Sequence, residues 1–183
     1  MKIELKPFQE QAVRDLLQKI SRARRDVHDG EAQAVILSSP TGSGKTVITI
    51  QLLEWIWQGD EERKADKKAV FLWLSDSPEL NEQSRAKIAR QSSVFPERDL
   101  VIIEPLFSQK CLEPGKIYFL NTQKLSKTSL LTKTSDGRDY TIWQTIENTV
   151  RAGAEHVYLV IDEAHHSQSD SYRASDQLWL RRQ

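Results

Sequence analysis

The stretch V-I-L-S-S-P-T-G-S-G-K-T-V-I-T-I, residues 35–50, decides how the rest of the chain is read. Val35, Ile36 and Leu37 form a short apolar run that predicts a buried strand. A loop with Gly42 and Gly44 follows, then Lys45 and Thr46, then the apolar residues that open a helix. Strand, glycine loop and helix in that order make a phosphate-binding P-loop. Glycines let successive backbone N–H groups curl round an anion, the helix N-terminus adds partial positive charge, and a lysine reaches the outer phosphates. Thr41, Gly42, Ser43 and Gly44 are therefore expected to cradle the phosphates of ATP, with Lys45 on the β and γ phosphates and the Thr46 hydroxyl on Mg2+. Ser39 stands where the pattern has its first glycine. A plain glycine turn followed by a lysine would read the same way, so a second signal is needed.

That signal lies far downstream, in V-I-D-E-A-H, residues 160–165. Asp162 and Glu163 put two carboxylates at the end of an apolar run. Phosphoryl transfer needs a carboxylate on the magnesium side and a group that orients the attacking water near the γ-phosphate. Asp162 suits the first role and Glu163 the second. His165 and His166 do not make a zinc site, because neighbouring side chains diverge and no second ligand pair stands at zinc spacing.

Between these signals the chain alternates apolar runs with helical segments. Residues 69–74, 100–103, 117–120 and 157–161 are continuous apolar runs without polar alternation, as expected of strands buried on both faces of a parallel sheet. Phe8, Ala12, Val13, Leu16, Leu17 and Ile20 recur at helical spacing from Pro7 to the Asp29-Gly30 stop. Residues 45–57 continue as a helix on Ile48, Leu52, Trp55 and Ile56, and residues 140–150 read as an amphipathic helix on Ile142, Trp143, Ile146 and Val150. Ser77, Pro78 and Glu79 form a helix start by capping, first-turn proline and favourable dipole charge. Five strands separated by helices predict an α/β doubly wound domain, with its ligand outside the carboxyl ends of the strands. The P-loop and the polar clusters at residues 75–79, 121–123 and 162–165 should then share one rim.

Composition sets bounds on function. The chain has 183 residues, enough for one domain with a real core. Lys+Arg and Asp+Glu number 26 each, so any nucleic-acid surface must be a local patch rather than a bulk field. The basic run at Arg14, Arg22, Arg24 and Arg25 is interrupted by Asp15 and Asp26 and reads as a solvated face. Cys111 is the single cysteine, which rules out an internal disulfide and suits a reducing compartment. No apolar run approaches the about twenty residues that span a bilayer, so the expected setting is cytoplasmic, without a membrane partner.

The chain resembles the superfamily 2 helicases and translocases along almost its whole length, most closely the helicase subunit of type III restriction enzymes. Leu5-Lys6-Pro7-Phe8-Gln9 looks like that family's opening motif, in which Gln9 would read the adenine edge. Residues 39–46 are similar to its motif I and Asp162-Glu163-Ala164-His165 to its motif II in the DEAH form. Residues 73–83 look like its Ia region. By that resemblance Ser77, Pro78, Thr122 and Gln123 would touch a nucleic-acid backbone, DNA being expected ahead of RNA, and His165 would couple hydrolysis to that contact. The resemblance implies a three-layer RecA-like P-loop NTPase domain over residues 1–183, a nucleic-acid-dependent ATPase using ATP and Mg2+. It also implies a second RecA-like domain carrying the arginine fingers beyond this stretch, and partners such as a methyltransferase or other restriction or defence subunits.

Two rivals follow from the same residues. A catalytically incomplete module would hold nucleotide and nucleic acid without turnover. A P-loop small-molecule kinase leaves the DEAH tetrapeptide and the Ser77-Pro78-Glu79 strand end without a job. No Pro-Asp dipeptide occurs, so a nuclease site of the Pro-Asp…Glu-x-Lys type is not part of this sequence.

Overall fold

The computed structural model describes residues 1–31, 33–125, 130–133 and 139–162. Helix α1 (Pro7–His28) opens on Pro7, whose missing N–H is no loss in a first turn, and ends where Gly30 turns to φ +97°. Val13, Leu16 and Leu17 are buried along its inner stripe. Phe8, expected on that stripe, is 54% exposed, and the neighbouring Gln9 turns inward instead. Helix α2 (Lys45–Gln58) is buried at Ile48, Ile50, Leu52, Leu53 and Ile56, so it is enclosed around much of its circumference rather than on one face. α1 packs along it and joins the same core cluster.

The sheet contains β1 (Val70–Ser75), β2 (Leu100–Ile102), β3 (Ile117–Asn121) and β4 (Val157–Ile161). All pairs are parallel, in the order β2-β3-β1-β4. Alternate side chains divide between two cores, as the period of a strand requires. Phe71, Trp73, Ile117 and Phe119 meet α1, α2 and Ile88 of helix α3 (Pro78–Gln91). Leu72, Leu74, Tyr118 and Leu120 meet Ile142 and Ile146 of helix α4 (Ile142–Gly153), together with Leu112, Leu125 and Leu131. Helices on both faces of a parallel sheet make the three-layer α/β arrangement that the sequence predicts.

Two expectations are corrected. Residues 33–40 form no strand, so the described sheet has four strands, not five. Val35 and Leu37 pack half-buried against the core while Ile36 is 77% exposed, so the burial alternates and the run lacks the two-faced cover of a central strand. β4 is half-buried throughout and β2 is buried only at Leu100, instead of both being buried on both faces, because among the described residues each lies at a sheet edge with a single neighbour. Among the described residues no helix is long and apolar enough to cross a membrane.

Candidate nucleotide-binding site

The direction of α2 follows from what its far end touches. Asp66, just before β1, donates its N–H to the Ile56 carbonyl at 2.8 Å, and Gly115, just before β3, abuts the Trp57 ring. The last turn of α2 thus lies at the amino end of the sheet, and its first turn, with the P-loop, points to the carboxyl end. Gly44 caps α2 in the left-handed region at φ +88°, and Gly42 lies at φ +81°. Both conformations are open to glycine and costly for other residues.

The loop is closed on itself. The Ser43 N–H donates to the Pro40 carbonyl at 3.2 Å, and the Ser39 and Ser43 hydroxyls are 2.7 Å apart. The Lys45 ammonium donates to the Ser39 carbonyl at 2.9 Å and to the Pro40 carbonyl at 3.3 Å. Ser39, standing where a glycine is usual, therefore contributes a side-chain tie across the loop.

Gln9 joins the loop to α1. Its Oε1 accepts the Lys6 N–H at 3.0 Å and its Nε2 donates to the Ser43 carbonyl at 2.9 Å. A Cβ on Gly44 would stand 2.5 Å from that Nε2, so the glycine also makes room for the amide. These two bonds use one lone pair and one N–H of the amide; the other lone pair and N–H match the donor and acceptor on an adenine edge.

At the ends of the strands, three of the four polar clusters meet. Ser75 is in register with Asn121, and the Asp162 N–H donates to the Leu74 carbonyl at 3.1 Å. Ser84 of α3 donates its hydroxyl to Asp162 Oδ2 at 3.3 Å. Ser77 caps α3 by accepting the Leu80 N–H at 3.2 Å, and the Ser75 hydroxyl lies 2.8 Å from Asn81 Oδ1. The Thr122 hydroxyl donates to Asp76 at 3.3 Å, and the Gln123 N–H donates to Asn121 Oδ1 at 2.7 Å. With Pro78 in the first turn of α3, all four residues assigned to nucleic acid thus already serve local structure, and Asp76 and Glu79 add negative charge beside them. The Glu79 carboxyl is held below its ordinary value by its own backbone N–H and by the Ser77 hydroxyl.

Glu163 and His165 lie outside the described residues, as do His166 and most of the polar stretch 126–138. Sequence reading missed Ser84 and Asp76. The signal for Ser84 was available: Asn81, Ser84 and Ile88 fall on one helical stripe, and two polar residues on a buried stripe require partners.

Among the described residues no group of three or more His, Cys, Asp or Glu converges as a metal cage. Magnesium does not need one, because it takes one or two protein oxygens and fills its shell with phosphate and water. A hydroxyl at Thr46 and a carboxylate at Asp162 are hard oxygen donors of that kind.

No curated protein and no solved structure matches the chain. Residues 2–178 match the family described as type III restriction enzyme, res subunit, a span that takes in α1, the P-loop, the whole sheet and the stretch from Asp162 to His165. A parallel sheet with a glycine loop at the head of α2 and a carboxylate at the end of β4 is the arrangement that an ATP-binding domain of helicase type requires, and the chain belongs to the type III restriction enzyme res subunit family.

Proposed function

We propose that the chain is the N-terminal RecA-like ATP-binding domain of a helicase or translocase that hydrolyses ATP in response to DNA, in a restriction or defence system. The observation that carries this reading is the loop at the head of α2. Gly42 and Gly44 hold left-handed conformations, and Lys45 and Thr46 follow at the helix N-terminus. Thr41 to Gly44 line the phosphates, and Lys45 leaves the Ser39 and Pro40 carbonyls for the β and γ phosphates. Gln9 uses its remaining donor and acceptor on adenine. Magnesium, when bound, neutralises charge on the phosphates, and Thr46 and Asp162 hold it. Glu163 orients the attacking water, and His165 couples hydrolysis to the polymer. Ser77, Pro78, Thr122 and Gln123 form the rim that meets the DNA backbone, facing a second RecA-like domain, with methyltransferase or other restriction subunits as further partners. The single cysteine, Cys111, supports a reducing, cytoplasmic setting.

One observation favours a second reading, a module that binds without turnover. The Ser43 N–H and the Lys45 ammonium are both engaged by loop carbonyls, so phosphate must displace them before it is held. ATP binding and hydrolysis, measured with and without double-stranded DNA, separate the two. Lys45→Ala is expected to lower magnesium–ATP affinity by at least about a hundredfold, the worth of two charge-assisted bonds. Glu163→Gln should abolish DNA-stimulated turnover while leaving binding intact. Without the arginine fingers of a second domain turnover should be slower by about a thousandfold or more. Any slow rate that DNA stimulates and Glu163→Gln removes therefore supports the ATPase, and tight binding with no rate above the Glu163→Gln background supports the module. No binding at all rules out both.

A further inference from the structure

Serine and threonine inside helices usually return their hydroxyl to the carbonyl one turn back. This chain does so repeatedly: Ser21 to Leu17, Thr49 to Lys45 and Thr149 to Thr145. Ser84 does not. Its hydroxyl leaves α3 and donates to Asp162 Oδ2 at the end of β4, a partner 78 residues away. The side chain is on the buried stripe of the helix, 7% exposed, where an apolar residue would otherwise pack against the strands. Asp162 meanwhile is fixed through its backbone by the bond to Leu74. With the main chain held by β1 and one carboxylate oxygen held by α3, the rotation of the carboxyl group is set before any ligand arrives.

We infer that Ser84 is a positioning residue that orients the Asp162 carboxylate toward the magnesium side of the nucleotide; this rests on the reading of the P-loop and Asp162 as one site. A neutral hydroxyl donating to a metal-side carboxylate fixes its direction without cancelling its charge. Groups in that relation to a metal ligand typically govern about ten- to a hundredfold in metal affinity. The arrangement also puts the group that sets Asp162 about 10 Å, two helical turns, from the Ser77 cap on the same helix.

The test is binding of a fluorescent ATP analogue to the full chain, titrated with MgCl2 against an EDTA baseline. Ser84→Ala should raise the magnesium concentration at half-effect about tenfold. Affinity in EDTA should stay unchanged, because the P-loop contacts do not involve α3. Ser84→Thr, which keeps the hydroxyl, should restore the wild-type midpoint. In an Asp162→Asn background Ser84→Ala should add no further shift. A Ser84→Ala midpoint equal to wild type, or a shift that persists in full beside Asp162→Asn, overturns the assignment and leaves the nucleotide site standing. A wild-type chain with no magnesium-dependent binding overturns the site reading, and the Ser84 assignment falls with it.

Discussion

The two ends of the sheet are held together in opposite ways. At the amino end, the Asp66 carboxylate is only 3% exposed and takes His156 Nδ1 at 2.8 Å, the Tyr158 hydroxyl at 2.9 Å, Arg24 at 3.1 Å and the Lys68 N–H at 3.2 Å. Burial pushes the Tyr158 phenol well above its ordinary value, with Arg24 opposing and Asp66 adding to the shift. Glu54, equally buried, accepts the Ser92 hydroxyl at 2.7 Å and the Ser93 N–H at 2.8 Å, and pairs with the Met1 amine at 2.7 Å. These two carboxylates tie α1, α2, α3 and β4 by several short bonds each. At the carboxyl end, Asp162 takes the Ser84 hydroxyl and Asp76 the Thr122 hydroxyl, each at 3.3 Å, and the P-loop is closed by its own carbonyls. Multiple short bonds to a buried charge make a clamp, whereas longer ones are within reach of a ligand's competition.

Breaking the clamp should cost the most. Asp66→Ala leaves the Tyr158 hydroxyl without its acceptor and takes the carboxylate from Arg24 and His156, and unfolding in urea should show a loss of about 3 kcal/mol. Nucleotide affinity, measured well below the unfolding transition, should not change. A parallel fall in affinity would erase the distinction between the ends. The loop gives the next largest effect. Gly44→Ala puts a side chain at φ +88° and against the Gln9 amide, a strain of about 1–2 kcal/mol. The expected result is a loss of about tenfold in ATP affinity, with a smaller change in urea midpoint. If the urea midpoint moves further than the affinity, the loop carries the fold rather than the ligand.

The smallest effect sharpens the comparison by pH. The Glu79 carboxyl has a lowered value in the folded chain, so its contribution to stability is present above the ordinary carboxylate range and is lost as pH falls through the folded value. Glu79→Gln should therefore be slightly less stable than wild type at neutral pH. The two urea midpoints should converge as pH drops below 4.5. A difference that stays constant with pH would assign the effect to something other than the charge at the head of α3.

Local rules carried much of this architecture in plain letters. Pro7 and the Asp29-Gly30 stop mark α1, Ser77 marks the start of α3, and unbroken apolar runs mark β1 and β3, because capping and strand burial depend on near neighbours. The run Val35 to Leu37 misled for the opposite reason: apolar letters say that a segment can pair, and only the assembled sheet says what it pairs with. Ser84 was legible as a polar residue on a buried stripe, but its partner was hidden by distance along the chain. The P-loop was legible as a motif, but its closure was not: the Gln9 tie depends on where α1 comes to lie, and the Ser39–Ser43 tie on how the loop between them turns.

The order of strands also sets a schedule. β1 is synthesised first of the four and is the only one with a neighbour on each side that the chain must travel far to supply: β3, then β4 last of all. Until residue 161 has emerged, the fully buried Val70–Ser75 strand keeps one flank open, which slows closure and exposes an apolar edge to aggregation during synthesis. Asp162 follows directly on that last strand, so the phosphate loop is made early and its carboxylate arrives only with the step that completes the sheet. Nucleotide would then reward a finished fold rather than guide an unfinished one.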